Sequence, residues 1–326
     1  MRLYTSAAVP GSNTTLVHEL KANFPEVFQA GLGKCTKTQA QLKLKPGATP
    51  VFRKARPVPY AARAAVTQEL ERLVKEGVYV PVDHSRFATP IVVVKKKNGT
   101  LRLCADYSTG LNAVLEDNNH PLPTAEDIFA ALNGGKYFSQ IDLAEAYLQI
   151  EADPEAQEML TINTHLGLFR PTRLPFGVKC APGIFQGVMD ALIAGLPSTF
   201  AYLDDIIVCG RTEAEHNANV RLLFERIKEY GLRVREEKCS FLQKKIQYLG
   251  HVIDEHGRQP DPGRIQAIVN MPAPNDLTGV RSFLGMINYY CAFLPEIRNL
   301  RYPFDELCKK NVDSIGHSSV SRNSTK

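Results

Sequence analysis

The seven cysteines of this chain (Cys35, Cys104, Cys180, Cys209, Cys239, Cys291, Cys308) include no Cys-x-x-Cys pair. An odd set without metal-ligand spacing excludes a disulfide framework and zinc fingers, and points to free thiols in a reducing compartment. No apolar run approaches the length of a membrane span, and the N-terminus has no secretory h-region. The sequence therefore predicts an intracellular protein with no membrane partner. No G-x-x-x-x-G-K-[ST] occurs, which disfavours an ordinary P-loop ATPase. Internal repeats and long low-complexity tracts are missing too. So is a large charge excess: 39 Lys and Arg against 34 Asp and Glu leave a net of +5, which permits a nucleic-acid partner without demonstrating one. What is present is ordinary for a folded chain: 326 residues, 44% of them hydrophobic, enough for two or three subdomains with a sizeable core.

Residues 1–40 are weakly patterned and read as a loose lead-in. Residues 41–60, rich in proline and basic side chains, read as an extended arm. Val66, Leu70, Leu73 and Val74 share one face of an amphipathic helix that Gly77 stops. Pro90–Val94 and Leu101–Ala105 predict a hairpin turned at Asn98-Gly99, with Lys95, Lys96 and Lys97 at its tip. A helix from about Thr124 to Leu132 opens on a Thr124/Asp127 capping box, and a strand from Tyr137 to Leu143 carries Asp142 near its end. Helices follow from Pro182, with Phe185, Val188, Met189 and Leu192 inward, and from Thr212, with Val220, Leu223, Phe224 and Ile227 inward. Ile246–Ile253 reads as one strand. After Asp261 the pattern is helical, with Leu277, Val280, Leu284 and Ile287 at helical spacing.

Within the apolar run Phe200–Cys209 sit two adjacent carboxylates, Asp204 and Asp205. Charges in such a segment are costly unless a turn lifts them to the surface or a cation offsets them. No Gly, Pro or Asn marks a turn there. An acidic hairpin tip and a metal site are the two readings. Asp142, at the end of its own strand, could join the pair at one sheet edge. Three like charges repel, and a hard divalent cation with oxygen ligands relieves them. Two such ions about 3.5–4 Å apart serve in-line phosphoryl displacement. The carboxylates thus point to phosphoryl or nucleotidyl transfer, with a Lys96/Arg102 finger holding a triphosphate. A generic two-metal nuclease accounts for the carboxylates equally well, but leaves the basic finger unused.

Blocks along the chain, in the family's order, resemble the reverse transcriptases of gypsy-type LTR retrotransposons (Metaviridae). They are Leu101–Tyr107 with Leu111-Asn112, Phe138–Leu143 running on to Ala146-Tyr147, Leu174–Lys179 with Ala181-Pro182 and Phe185, Tyr202-Leu203-Asp204-Asp205, Tyr248–His251, and Phe283–Tyr290. The resemblance implies an α+β right-hand polymerase: fingers, a palm with a ferredoxin-like antiparallel sheet, and a helical thumb. Its divisions would be a lead-in over 1–40, fingers and palm over 41–253, thumb and connection helices over 254–310, and a polar, disordered tail over 311–326. The implied activity is RNA-directed DNA synthesis, nucleotidyl transfer from dNTPs to a primer 3′-hydroxyl on an RNA or DNA template. Asp142, Asp204 and Asp205 would bind two Mg²⁺ ions, for which Mn²⁺ could substitute. Lys96 and Arg102 would contact the triphosphate. Tyr147 would sit under the sugar and exclude a 2′-hydroxyl, Phe176 would lie by the nucleotide, and Lys238 would approach the leaving pyrophosphate. Gly177, Pro182, Tyr202, Leu203, Tyr248, Leu249 and Gly250 would face template and primer.

The chain departs from the family pattern at Leu101, Ser108 and Cys291, none of them an implied metal ligand. No RNase H or integrase segment follows, and no protease Asp-Thr/Ser-Gly signature precedes. The expectation is a fragment, a truncated element or an incomplete gene product, working in cytoplasmic particles with access to the nucleus. A catalytically dead remnant that only binds nucleic acid is the competing reading.

Overall fold

The N-terminal segment is more than a lead-in. Ser12–Asn23 forms a helix, α1, that buries Leu16 and Leu20 in the same core as the strand carrying Asp142. The sequence hides it because Leu16 and Leu20 are its only fully buried positions, with Val17 partly buried beside them, and most of the remaining residues are polar. The computed structural model describes residues 12–95, 101–293, 301–302 and 308, and divides into two compact units, 1–243 and 244–326. Lys96, the Asn98-Gly99 turn and the tail 311–326 lie outside the described residues, as does the side chain of Arg102. No helix among the described residues is long and apolar enough to cross a membrane.

After α1, the first unit runs α2 (Tyr60–Lys75), β1 (Tyr79–Val82), β2 (Thr89–Lys95), β3 (Leu101–Ala105), α3 (Leu111–Val114), α4 (Ala125–Leu132), β4 (Tyr137–Asp142), α5 (Pro154–Met159), β5 (Ile162–Thr164), β6 (Gly167–Pro171), α6 (Ala181–Ile193), β7 (Thr199–Tyr202), β8 (Asp205–Gly210), α7 (Glu213–Glu229) and β9 (Ser240–Gln243). Local rules explain most of these. α2 buries Val66, Leu70 and Leu73, and Gly77 just beyond it takes φ 70°, a conformation cheap only for glycine. Thr124 and Asp127 form the expected capping box of α4, and the Thr212 side chain caps α7. The hairpin of β2 and β3 forms in the register Ile91↔Ala105 to Lys95↔Leu101.

That hairpin belongs to a larger sheet than the sequence announces, ordered β1-β6-β5-β2-β3, with β2 and β5 parallel. β5 and β6 are short and interrupted by polar residues, so only long-range pairing defines them. The second sheet is antiparallel throughout, ordered β7-β8-β4-β9. α6 and α7 supply Phe185, Met189, Leu192, Val220, Leu223 and Phe224 to the main core with Ile141, Ile206 and Val208 from the sheet. Burying one face of β4 and β8 leaves their ends, and the carboxylates there, at the sheet's edge.

The second unit contains β10 (Ile246–Tyr248), β11 (His251–Asp254), β12 (Gly257–Pro260), α8 (Pro262–Val269) and α9 (Leu277–Tyr289). The single strand expected over Ile246–Ile253 is instead a hairpin. Leu249 and Gly250 both adopt positive φ, 43° and 75°, and fold β10 back on β11 with Tyr248 opposite His251. The second unit begins after Gln243, because β10 pairs with β11 and β12 and not with the four-stranded sheet.

Candidate active site

Asp142 and Asp205 are direct register partners across β4 and β8, and Asp204 occupies the two-residue turn between β7 and β8. Two separate strand ends thus bring the three carboxylates to one sheet edge, as the sequence suggests. Among the described residues no group of three or more His, Cys, Asp or Glu side chains is gathered closely enough to hold a metal ion by itself. The set is an open one, built of hard oxygen donors.

Burial and neighbouring charges set the electrostatics of this cluster. Burial pushes the Asp205 carboxyl above its ordinary value, the Asp142 charge pushes it further, and a hydrogen bond from Gln140 Nε2 (3.2 Å) and the charge of Lys238 work against both. The Asp142 side chain is 19% exposed and pairs with Lys238 Nζ at 3.3 Å, so the ammonium stands against the first carboxylate. Carboxylate oxygens of this kind, which Lys238 and Gln140 only partly offset, suit a divalent cation that keeps water and substrate ligands. Cys239 lies behind Asp142 and accepts its backbone N–H at 3.4 Å; burial pushes that thiol up to about 12, which makes it a packing group and not a nucleophile.

Tyr147 is buried beside the turn. Its ring meets Phe176 edge-on at 4.7 Å and tilts against Phe185 at 4.9 Å. Burial, with the Asp204 charge nearby, pushes its hydroxyl up to about 12. Tyr147 and Phe176 therefore form one aromatic floor near the carboxylates. Gly177 takes φ 94°, and a Cβ there would stand 3.2 Å from the Ala105 carbonyl of β3, so only glycine suits this crossing. Pro182 sits in the first turn of α6, where a missing N–H costs nothing.

Two residues that motif reading leaves without a role hold these loops. Gln149 is buried; its amide donates to the carbonyls of Ala144 (2.7 Å) and Arg233 (2.9 Å), and its oxygen accepts the Arg233 N–H (2.7 Å). It pins the segment leaving Asp142. Asn112 donates to the Gly177 carbonyl and accepts the Lys179 N–H, fixing the loop that precedes α6. For Gln149, an amide seven residues after Asp142 is the available signal, but sequence alone does not show that it is buried.

Tyr248, Leu249 and Gly250 lie in the second unit, at the tip of the β10–β11 hairpin. Tyr289 donates to the Leu249 carbonyl and Tyr290 to the Gly250 carbonyl. These aromatics on and just after α9 hold the tip in its left-handed turn.

Residues 94–253 match the family model described as reverse transcriptase (RNA-dependent DNA polymerase). The chain is 52% identical over 272 residues to uncharacterized protein K02A2.6 of Caenorhabditis elegans, covering 83% of this chain and 21% of that protein. It is 33% identical over 326 residues to the retrovirus-related Pol polyprotein from transposon 412 of Drosophila melanogaster, covering 92% of this chain and 26% of the polyprotein. The Tf2-3 transposon polyprotein of Schizosaccharomyces pombe is 30% identical over 258 residues, 78% of this chain and 19% of the polyprotein. The chain thus spans about a quarter or less of these relatives. Among solved structures, the foamy viral protease-reverse transcriptase dRH in complex with double-stranded DNA superposes with a TM-score of 0.87 at 22% identity, over 99% of this chain and 60% of that one. The fold is accordingly the α+β right-hand polymerase fold, and the chain carries a reverse transcriptase domain of the kind found in retrotransposon Pol polyproteins.

Proposed function

We propose that this chain is the reverse transcriptase of a gypsy-type LTR retrotransposon, adding deoxynucleotides to a primer 3′-hydroxyl under the direction of an RNA or DNA template. The observation that carries this reading is the pairing of Asp142 with Asp205 at one sheet edge, with Asp204 in the adjoining turn beside the Tyr147 ring. Asp142, Asp204 and Asp205 are the residues that would hold Mg²⁺, as two ions, with Mn²⁺ as a substitute. When bound, such ions neutralise the carboxylates and stabilise the attacking and leaving oxygens of an in-line displacement.

The chain's own side chains supply the rest. Tyr147, wedged by Phe176 and Phe185, forms a rigid floor under the sugar and leaves no room for a 2′-hydroxyl. Lys96 and Arg102 hold the triphosphate from the β2–β3 finger. Lys238, now paired with Asp142, exchanges to the leaving pyrophosphate. Gly177, Pro182, Tyr202 and Leu203 of the first unit are assigned contacts with template and primer, and Tyr248, Leu249 and Gly250 of the second unit are assigned contacts of the same kind. Contacts of this kind go to the nucleic-acid backbone, which makes binding salt-dependent and largely independent of sequence.

The test is Mg²⁺-dependent primer extension on poly(rA)/oligo(dT) with purified protein, wild type against Asp204→Asn. Wild type is expected to incorporate dTTP, and the variant to bind template–primer without extending it. Extension by Asp204→Asn at the wild-type rate would sink the mechanism. Binding without incorporation by the wild type would favour a remnant that only binds nucleic acid.

A further inference from the structure

The turn that carries Asp204 has no Gly, Pro or Asn, and Leu203 holds φ 52°. A bulky side chain in the left-handed region persists only where its surroundings over-determine it. β7 is also the edge strand of its sheet, so the outward-facing Ala201 carbonyl and Leu203 N–H find no strand partner. Buried backbone groups of this kind need one.

Gln186, on α6 and with no exposed surface, supplies both. Its Oε1 accepts the Leu203 N–H at 2.8 Å, and its Nε2 donates to the Ala201 carbonyl at 3.0 Å. Of the common side chains only a carboxamide offers an acceptor and a donor at this spacing. The second amide proton goes to Asp190 Oδ1 at 2.8 Å, one helical turn further along α6. Asp190 Oδ2 in turn meets His120 Nε2 at 2.6 Å. His120 is itself fixed, its backbone N–H donating to Asn118 Oδ1 at 2.9 Å, and its ring lies over Gly187, where a Cβ would approach to 3.5 Å. A continuous chain of hydrogen bonds thus runs from the half-exposed His120 through Asp190 and Gln186 to the backbone on both sides of Tyr202.

We propose that Gln186, oriented by Asp190 and His120, is a positioning residue for the Leu203–Asp204 turn and sets where the Asp204 carboxylate stands relative to Asp142 and Asp205. This rests on the nucleotidyl-transfer reading for its kinetic consequence, and on geometry alone for its structural one. Gln186 touches no reacting atom. Its effect passes through the turn, so it governs turnover and metal requirement.

The experiment compares wild type with Gln186→Met, which keeps the length of the side chain and deletes both amide partners, and with Asp190→Asn, which removes the charge on a partly exposed position. Amide hydrogen exchange of the Tyr202–Asp205 segment is measured first. Loss of the Leu203 bond in Gln186→Met should speed exchange there about tenfold, with a smaller change in Asp190→Asn. In primer extension, kcat of Gln186→Met should fall on the order of a hundredfold, as expected for a displaced reacting geometry. KM for dTTP should hold, and the half-saturating Mg²⁺ concentration should rise. Unchanged exchange and unchanged kcat in a folded Gln186→Met protein overturn the inference. If that variant does not fold, Asp190→Asn decides: exchange at Leu203 identical to wild type overturns the relay. A wild type that extends no primer defeats the polymerase reading, while the exchange measurement still judges the turn.

Discussion

Acidification should destabilise this protein through one buried imidazole. His216, on α7, has no exposed surface. Its Nδ1 faces Asn217 Oδ1 at 2.9 Å, and its Nε2 faces Ser139 Oγ at 2.9 Å. Asn217 Oδ1 can only accept, so Nδ1 carries the proton and Nε2 accepts the serine hydroxyl, whose oxygen accepts the Leu242 N–H at 3.2 Å. Every group is satisfied with the ring neutral. A second ring proton would charge a fully buried group and leave the serine hydrogen without a partner. Burial holds this imidazole below its ordinary value of 6.5. The sign follows: the unfolded chain takes up the proton near pH 6.5 and the folded one resists, so the stability His216 contributes is whole above 6.5 and is lost as pH falls through the folded value. The loss therefore grows as pH falls below 6.5, and Tm falls with it. The carboxylates held low by ion pairs, such as Glu19 and Glu151, act below about pH 4.5 and stay clear of this window. Urea denaturation at pH 7.0, 6.0 and 5.0, wild type against His216→Gln, isolates the effect, since glutamine keeps a donor and an acceptor but cannot be charged. The variant should lose less stability than wild type between pH 7 and pH 5. Parallel pH profiles for the two proteins would refute the reasoning.

Two other substitutions separate structure from chemistry. Gly210→Ala would put a Cβ 2.5 Å from the His216 backbone nitrogen at the junction of β8 and α7; a loss of about 3 kcal/mol is expected in urea denaturation, and an unchanged midpoint would contradict the packing described. Tyr147→Val should raise ribonucleotide incorporation relative to deoxynucleotide by about tenfold to a hundredfold in single-nucleotide extension, and an unchanged ratio would remove Tyr147 from the sugar-selecting role.

Much of this protein is legible in its sequence, and the reasons are local. The helical spacing of Val66, Leu70 and Leu73, the Thr124/Asp127 capping box and the alternation around β4 and β8 each act within a few residues, so the chain declares them directly. The two acidic segments declare themselves as well, because carboxylates in apolar strands demand a reason. Other features depend on partners far away in the chain. α1 exists because its sparse apolar face meets the main core, β5 and β6 because β2 and β1 pair with them, and the Leu249-Gly250 turn because two tyrosines after residue 288 bind its carbonyls. The sequence by itself determined which groups carry charge to the site: Asp142, Asp204 and Asp205. Only the tertiary structure decided how they are held there, because the bonds of Gln186 to Ala201 and Leu203, and of Gln149 to Ala144 and Arg233, join residues that no local periodicity connects.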